Sequence, residues 1–550
     1  MLAILSALGG SILCACFVDG ALAQDRPAAQ KHVVVVVWDG MRPDFVTEIN
    51  TPTLWKLAKQ GVVFRHHHCV YPSATNVNGT AIVTGVYPEK SGILANQEYR
   101  PEINRKKIIA IETLETVRKG DETSGGKHVA VPTIAEQLRA AGMETVTATA
   151  KTVGLLQDRH PFDSATPVRL RSGQDFRSGQ VLDATREKNC VALFAGEMLA
   201  ARALAPVVES LGPFPMSGYM QKDVWTTKAL TEIFWKDRIP DFSLLWLSEP
   251  DGTEHETAPG SKEALAAIKS ADDNLSSVLA ALDRQGARST TDIFVVSDHG
   301  FSTIERSVDL RKILKDAGLN ATTEFTADAK PGDIMLAGNG GTVLFYVIQH
   351  DPVITRRLVE FLEQSDFAGV IFTRDKIEGT FGLDVAGIDN EHAPDVAMAF
   401  RWNDKTNQFG LPGMIEADWN RKAGEGTHAT LSRFDMHNTL VAAGPDIRRG
   451  QTDDLPSGNV DLAPTILSIF GVSPAQKMDG RVLSEALVTV DPATAGLKPT
   501  TETIEASKAF SSGTWRQTLK TSRVGSTTYL DEGNGAFVAK QGAAVSPGAP

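Results

Sequence analysis

The chain has 550 residues, 42% hydrophobic and 22% charged, the composition of a folded globular protein long enough for one large domain or two to three smaller ones. Its formal net charge of −12 argues against a broad non-specific grip on a nucleic acid backbone, duplex included. It leaves room for a small anionic substrate wherever bound cations invert the local field.

The first residues read as an export leader. Leu2 to Phe17 is almost wholly apolar, and Ala21-Leu22-Ala23 before Gln24 is a small-x-small cleavage pattern, so residues 1–23 are expected to be removed. The run is short for a stable membrane span, and no other apolar run approaches 20 residues. Leu13-Cys14-Ala15-Cys16 leaves a lipoprotein alternative open. Export to the periplasm or the extracellular space follows in either case. Cleavage at that site would leave only Cys69 and Cys190, which excludes a disulfide scaffold and a thiolate metal site and leaves their pairing undecided.

Downstream, strands and helices alternate. Lys31 to Trp38 is a continuous β-branched run of the kind a buried parallel strand requires. Pro52 to Gly61 reads as a helix with Thr51 as its cap, and Pro132 to Gly142 as another, with Thr133 and Glu136 near its start. Ser243 to Leu247 and Asp292 to Val296 read as buried strands. Lys262 to Gly286 between them reads as a long helix with Leu265, Ile268, Leu275, Val278, Leu279 and Leu282 on one stripe. The fold class predicted is α/β, a mostly parallel sheet with helices on both faces. Residues 24–490 would form the catalytic domain, with rim or cap insertions near 155–222 and 320–425, the latter of short strands and polar loops. Residues 491–550 would be an extension, hairpin-like around Thr514 to Val538 and fraying at its Pro/Ala-rich end.

Three of these strands run into acidic residues: Asp39 after Trp38, Asp251 after Leu247 with His255 four residues on, and Asp298-His299 after Val296. Ligands of open parallel sheets bind beyond the strands' carboxyl ends. One such Asp would be an ordinary turn or cap residue. Three, two of them with a nearby His, suit a borderline divalent cation. His66-His67-His68 is not read as a ligand set, because neighbours on a strand face opposite ways. His437 is expected in packing or support, and Asp461 as a helix cap.

The ordered set Trp38-Asp39-Gly40, Tyr71-Pro72-Ser73-Ala74-Thr75-Asn76, Ile82-Val83-Thr84-Gly85, Glu249-Pro250-Asp251 with His255, Ser297-Asp298-His299-Gly300 and Gly426-Thr427-His428 resembles the type I phosphodiesterase/nucleotide pyrophosphatase branch of the alkaline phosphatase superfamily. The resemblance runs from about residue 31 to about residue 485 and takes in Asp435-x-His437-Asn438 and Val460 to Thr465. It implies two divalent metal ions, zinc in the usual member. Asp251, His255 and His428 match the ligands of one, and Asp39, Asp298 and His299 those of the other, which also holds the nucleophile. Thr75 matches that nucleophile, and Asn96 matches an Asn that contacts the phosphate. The implied activity is that of a phosphodiesterase or nucleotide pyrophosphatase acting through a phospho-threonine intermediate on a small phosphate ester.

The sequence departs from the family pattern after Thr75. It reads Asn76-Val77-Asn78-Gly79 where many nucleotide pyrophosphatases have Phe-Pro-Asn-His, and phosphonate-cleaving relatives carry Asn at the first position. Monoesterase relatives carry a Lys-x-Arg pair where this chain has Lys151-Thr152-Val153, which points to diesters over monoesters. A phosphate monoesterase or phosphonoacetate-type hydrolase stays open as the alternative, and a catalytically silent binding protein as the reading from another class. The sequence does not fix an oligomeric state.

Overall fold

Alternating valines on the first strand bury both of its faces and so fix it at the centre of a layered structure. The structure is a computed structural model that describes residues 30–158, 190–198, 201–489 and 496–540. The leader expected at residues 1–23 and the fraying C-terminal end lie outside the described residues. No helix among those described is long and apolar enough to cross a membrane.

Nine strands form the main sheet: β1 (His32–Trp38), β2 (Val62–Phe64), β3 (Thr145–Thr149), β4 (Cys190–Phe194), β5 (Glu197–Met198), β6 (Phe242–Leu247), β7 (Thr291–Val296), β8 (Leu440–Ala443) and β9 (Gln451–Asp453). Their order is β9-β2-β8-β7-β1-β6-β3-β4-β5. The central block β7-β1-β6-β3-β4 is parallel throughout, while β8 and β5 run antiparallel to their neighbours. Val34, Val36 and Trp38 pack into one core with the helix Lys262–Arg284. Val33, Val35 and Val37 pack into another with the helix Leu462–Phe470. Burying a valine contributes about 1.5–3 kcal/mol, so either face alone would hold this strand in register.

Part of the stretch expected to form a rim near 155–222 is sheet instead. Cys190–Phe194 pairs in parallel with Thr145–Thr149, continuing the main layer, and the helices Ala201–Leu211 and Tyr219–Lys228 follow it. The polar composition around this five-residue strand masks it in the sequence.

The second stretch, near 320–425, holds short strands as expected, and they assemble into one sheet with its own core. Six strands order as Ala321–Thr322, Ile334–Gly338, Thr342–Val347, Val396–Phe400, Ala368–Thr373 and Phe381–Gly382, and the helix Pro352–Glu363 packs on them. A three-stranded antiparallel sheet of Thr500–Ala509, Gly513–Val524 and Thr527–Ala539 closes the described chain. It contains the expected hairpin plus one further strand. Trp515, wholly buried, enters the core of the six-stranded sheet. The Gln517 side chain donates to the Ile371 carbonyl at 3.1 Å and accepts from its amide at 2.7 Å, standing in for a missing strand neighbour.

Local sequence misplaces one cap. The helix Pro52–Gln60 begins and ends as expected, but Thr51 does not cap it. Its hydroxyl turns back to the Thr47 carbonyl. The Asp272 carboxylate, from the long helix 218 residues on, accepts from Leu54 N at 2.9 Å and from Thr53 N at 3.0 Å. The Thr133–Glu136 capping box of the helix Ile134–Ala140 forms as the sequence reads. Asp272→Ala is expected to lower stability by about 1–2 kcal/mol, the value of a lost N-cap. A shift of the urea midpoint at unchanged slope would show it.

Candidate active site

Four adjacent parallel strands deliver one charged side chain each to the same end of the sheet. In sheet order, β7 leads to Asp298, β1 to Asp39, β6 to Asp251 and β3 to Lys151. The carboxylates are 0–3% exposed. Lys151 Nζ bridges two of them, at 2.8 Å from Asp39 Oδ2 and 2.9 Å from Asp251 Oδ2. Trp246 Nε1 donates to Asp39 Oδ2 at 2.9 Å, and the Gly40 and His299 amides donate to Asp298 Oδ1 at 3.0 Å. Gly40 has φ +75°, and a Cβ there would meet Asp251 and Phe301 at 3.0–3.2 Å, so only glycine allows the chain to turn this close to the acids.

The histidines complete the cluster. Each ring gives its Nδ1 to a carbonyl oxygen: His255 to Gly426 at 3.0 Å, His299 to Gly300 at 2.9 Å and His428 to Ser73 at 2.7 Å. A carbonyl only accepts, so each Nδ1 carries a proton, and in a neutral ring the lone pair then falls on Nε2. Those Nε2 atoms turn to the acids. His255 lies 3.3 Å and His428 3.4 Å from Asp251 Oδ1, and His299 lies 3.2 Å from Asp298 Oδ2 and 3.6 Å from Asp39 Oδ1. The tightest groupings are Asp251–His299–His428 and Asp39–Asp298–His299. His299 thus stands between the two sets that the sequence kept apart, and His255 lies just outside the first.

Charge and hydrogen bonding both call for cations here. One lysine faces three buried carboxylates. Asp39 Oδ1, Asp251 Oδ1 and Asp298 Oδ2 have no hydrogen-bond donor among the described residues. Burial, then Asp251 and Asp298, push the Asp39 carboxyl well above its usual range, and burial pushes Asp298 up to about 7. Burial also raises Asp251, but Lys151 and His255 outweigh it and hold that group low. Burial lowers His299 to about 4 and, with His299 beside it, His428 to about 3, so both imidazoles are neutral and able to ligate. Three carboxylates with orphaned oxygens, set among three imidazoles, fit divalent cations of the zinc type.

Thr75 is the first residue of the buried helix Thr75–Thr84, with its Oγ1 3.3 Å from His299 Nε2. The preceding residue, Ala74, offers no capping side chain. Asn96 caps the helix instead, its Oδ1 accepting from Asn76 N at 2.9 Å. That bond fixes the amide's orientation and leaves its NH₂ end uncommitted to the helix. Beside His428, Ala429 has φ 82°, a strained value for a residue with a Cβ, next to a ligand candidate.

Sequence reasoning missed the residues that brace the cluster. Asn459 Nδ2 donates to the Asp298 carbonyl at 2.7 Å and to Asn78 Oδ1 at 3.0 Å. Asn78 in turn accepts from Val70 N at 2.7 Å, holding the loop before Thr75. Asn459, adjacent to the Val460 to Thr465 segment, was the available signal. His67 belongs to this support, its ring on Ser457 Oγ and Asn459 Oδ1 at 3.0 Å each. His437 bonds the Arg65 carbonyl at 2.7 Å. Asp461 does not cap the helix Leu462–Phe470 that it precedes: its carboxylate accepts from Gly458 N and from the Tyr529 hydroxyl at 2.8 Å, closing the short turn before it and anchoring the C-terminal sheet. Cys69 is a buried free thiol. A cavity of about 790 Å³ with Arg42, Trp55, Lys59 and Phe434 in its walls contains none of the Asp/His cluster.

Of the aromatics between β5 and β6, Trp225 and Phe214 pack edge to face at 5.2 Å, and the Trp225 indole is spent on the Gly212 carbonyl. Tyr219, 37% exposed, lies directly over Gly252, beside Asp251.

A model of the type I phosphodiesterase/nucleotide pyrophosphatase family matches residues 33–398, ending before His428, which the structure nonetheless brings to the cluster. The chain is 24% identical over 287 residues to human ectonucleotide pyrophosphatase/phosphodiesterase family member 1, covering 50% of this chain and 24% of that protein. It is 21% identical over 297 residues to venom phosphodiesterase 2 of Crotalus adamanteus, covering 52% and 29%. The chain therefore spans less than a third of the length of these two relatives. Human ectonucleotide pyrophosphatase/phosphodiesterase 5 superposes with a TM-score of 0.57 at 16% identity, over 84% of this chain and all of that one. The murine counterpart, an inactive variant in complex with AMP, gives 0.56 at 16% identity over 83% of this chain and all of that one. At this identity the likeness shows an alkaline phosphatase-like fold.

Asn459→Ala would leave the Asp298 carbonyl, Asn78 and His67 short of buried partners, each worth about 1–3 kcal/mol. A clear fall in the melting temperature of the purified protein is expected.

Proposed function

Since the chain belongs to the type I phosphodiesterase/nucleotide pyrophosphatase family, we propose that it is an exported hydrolase of phosphodiester or pyrophosphate bonds, with Thr75 as nucleophile. The observation that carries the reading is the convergence of Asp39, Asp251, Asp298, His255, His299 and His428 at one end of the sheet, with His299 3.3 Å from the Thr75 hydroxyl and three carboxylate oxygens without a hydrogen-bond donor among the described residues. Two divalent cations held by those side chains, zinc by the donor chemistry, would supply Lewis acidity that activates the hydroxyl and screens the phosphate's charge.

The chain's own groups do the rest. Thr75 Oγ1 displaces the leaving alcohol or phosphate from phosphorus, and water then releases the product from phospho-threonine. The free NH₂ of Asn96 donates to a non-bridging oxygen as charge redistributes there. Backbone amides at the start of the Thr75–Thr84 helix favour the anion. Tyr219, over Gly252 at the rim, offers an apolar face to the ester substituent.

Lys151 gives a second reading its footing. It is a half-buried cation in the cluster, and it could hold the extra oxygen of a monoester or phosphonoacetate. Its charge is already divided between Asp39 and Asp251, and Val153 offers no second cation, so the diester reading stands first. The comparison that decides is kcat/KM for bis-p-nitrophenyl phosphate against p-nitrophenyl phosphate at one pH and zinc level. A diester preference is expected, and a clear monoester preference would replace this reading with the second.

Thr75→Ala should lower diester turnover by roughly 10³-fold or more, and Thr75→Ser much less. A Thr75→Ala enzyme that keeps most of its rate would rule out the covalent route. Elemental analysis after zinc loading should find two metals per chain in the wild type and fewer in His255→Ala. Less than one tightly held metal in the wild type would remove the two-metal site.

A further inference from the structure

One carboxylate outside the ligand set contacts the nucleophile segment. Glu112 Oε2 accepts from Asn76 Nδ2 at 2.7 Å, and Asn76 directly follows Thr75. The same segment is tied to the phosphate-side asparagine, because Ile111 N donates to the Asn96 carbonyl at 3.1 Å while Asn96 Oδ1 holds Asn76 N at 2.9 Å. Asn76, Asn96 and Glu112 therefore form one frame around the first turn of the helix that Thr75 begins. A neutral amide contact leaves the charge of Glu112 whole, and no cation lies within 4.0 Å of it among the described residues. Lys151 attracts it from farther off, but the lysine's own contacts go to Asp39 and Asp251. Burial pushes the Glu112 carboxyl up, while its own backbone amide and Asn76 hold it down. A fixed negative charge next to an anion-binding site is unfavourable for every phosphate and more so for a doubly charged one.

We propose that Glu112 is a charge-selecting residue, its carboxylate disfavouring phosphate groups with a second negative charge and thereby setting the preference for diesters over monoesters. This rests on the phosphodiesterase reading above. A unit charge roughly ten ångströms away, at an effective dielectric of about 20, changes binding by roughly tenfold.

Glu112→Gln keeps an acceptor for Asn76 and removes the charge, Glu112→Asp keeps the charge, and Glu112→Ala removes both. The readouts, at pH 8.5 in zinc-loaded protein, are the ratio of kcat/KM for p-nitrophenyl phosphate to that for bis-p-nitrophenyl phosphate, and the affinity for inorganic phosphate by calorimetry. The expected result is a rise of about tenfold in the monoester-to-diester ratio and tighter phosphate binding in Glu112→Gln, with Glu112→Asp near wild type. A ratio within twofold of wild type and unchanged phosphate affinity in Glu112→Gln would overturn the proposal, as would Glu112→Ala lowering both esters equally while Glu112→Gln changes neither, the mark of a prop for Asn76. Wild-type protein that cleaves neither ester would instead sink the phosphodiesterase reading, and the phosphate-binding comparison, which needs no turnover, would still decide for or against Glu112.

Discussion

Three carboxylates buried side by side with one lysine between them form the constraint around which the molecule is arranged. Like charges so close and so dry repel strongly, and a single ammonium cannot offset them. The fold tolerates the crowding because the parallel sheet fixes the backbone beneath them. Adjacent strands place Asp298, Asp39 and Asp251 a few ångströms apart whether or not their side chains favour it. The valines that bury β1 on both faces contribute free energy that the acids themselves do not. Much of the remaining polar structure nearby, the Trp246 indole, the three Nδ1–carbonyl bonds and the Asn459 hub, serves to keep these groups from relaxing apart.

What could be read from the sequence follows the range of the interaction. The central strands, the long helix and the Thr133–Glu136 box depend on neighbours within a few residues, and they appear as the sequence suggests. The strand-end acids were legible because period and position in a parallel sheet determine where side chains emerge. Asp272 was not, since nothing local distinguishes a carboxylate that caps another helix from one that faces solvent. Asn459 was missed for the same reason: its partners Asp298 and Asn78 are distant in sequence. The six-stranded sheet was hidden by Gly- and Asp-rich turns, such as Asn339-Gly340-Gly341, between strands only five or six residues long.

The placement of the histidines illustrates a limit of motif matching. Order along the chain divides the ligand candidates into two sets of three. In space His299 touches both, with its ring stacked 3.7 Å from that of His428. A side chain shared in this way couples the two halves of the cluster, so a change at either Asp251 or Asp298 is felt at the same imidazole.

The contact of Gln517 with Ile371 bears on the order of events during synthesis. The two residues are separated by 146 positions, and Trp515 fills a core whose other members lie well before it. A chain emerging from its N-terminus therefore completes every side chain of the Asp/His cluster while one edge of the six-stranded sheet still lacks its cover. Until the last strands are made, that edge presents unpaired backbone at Ile371 and an open pocket for Trp515. Docking of the strand that carries Trp515 and Gln517 satisfies both at once.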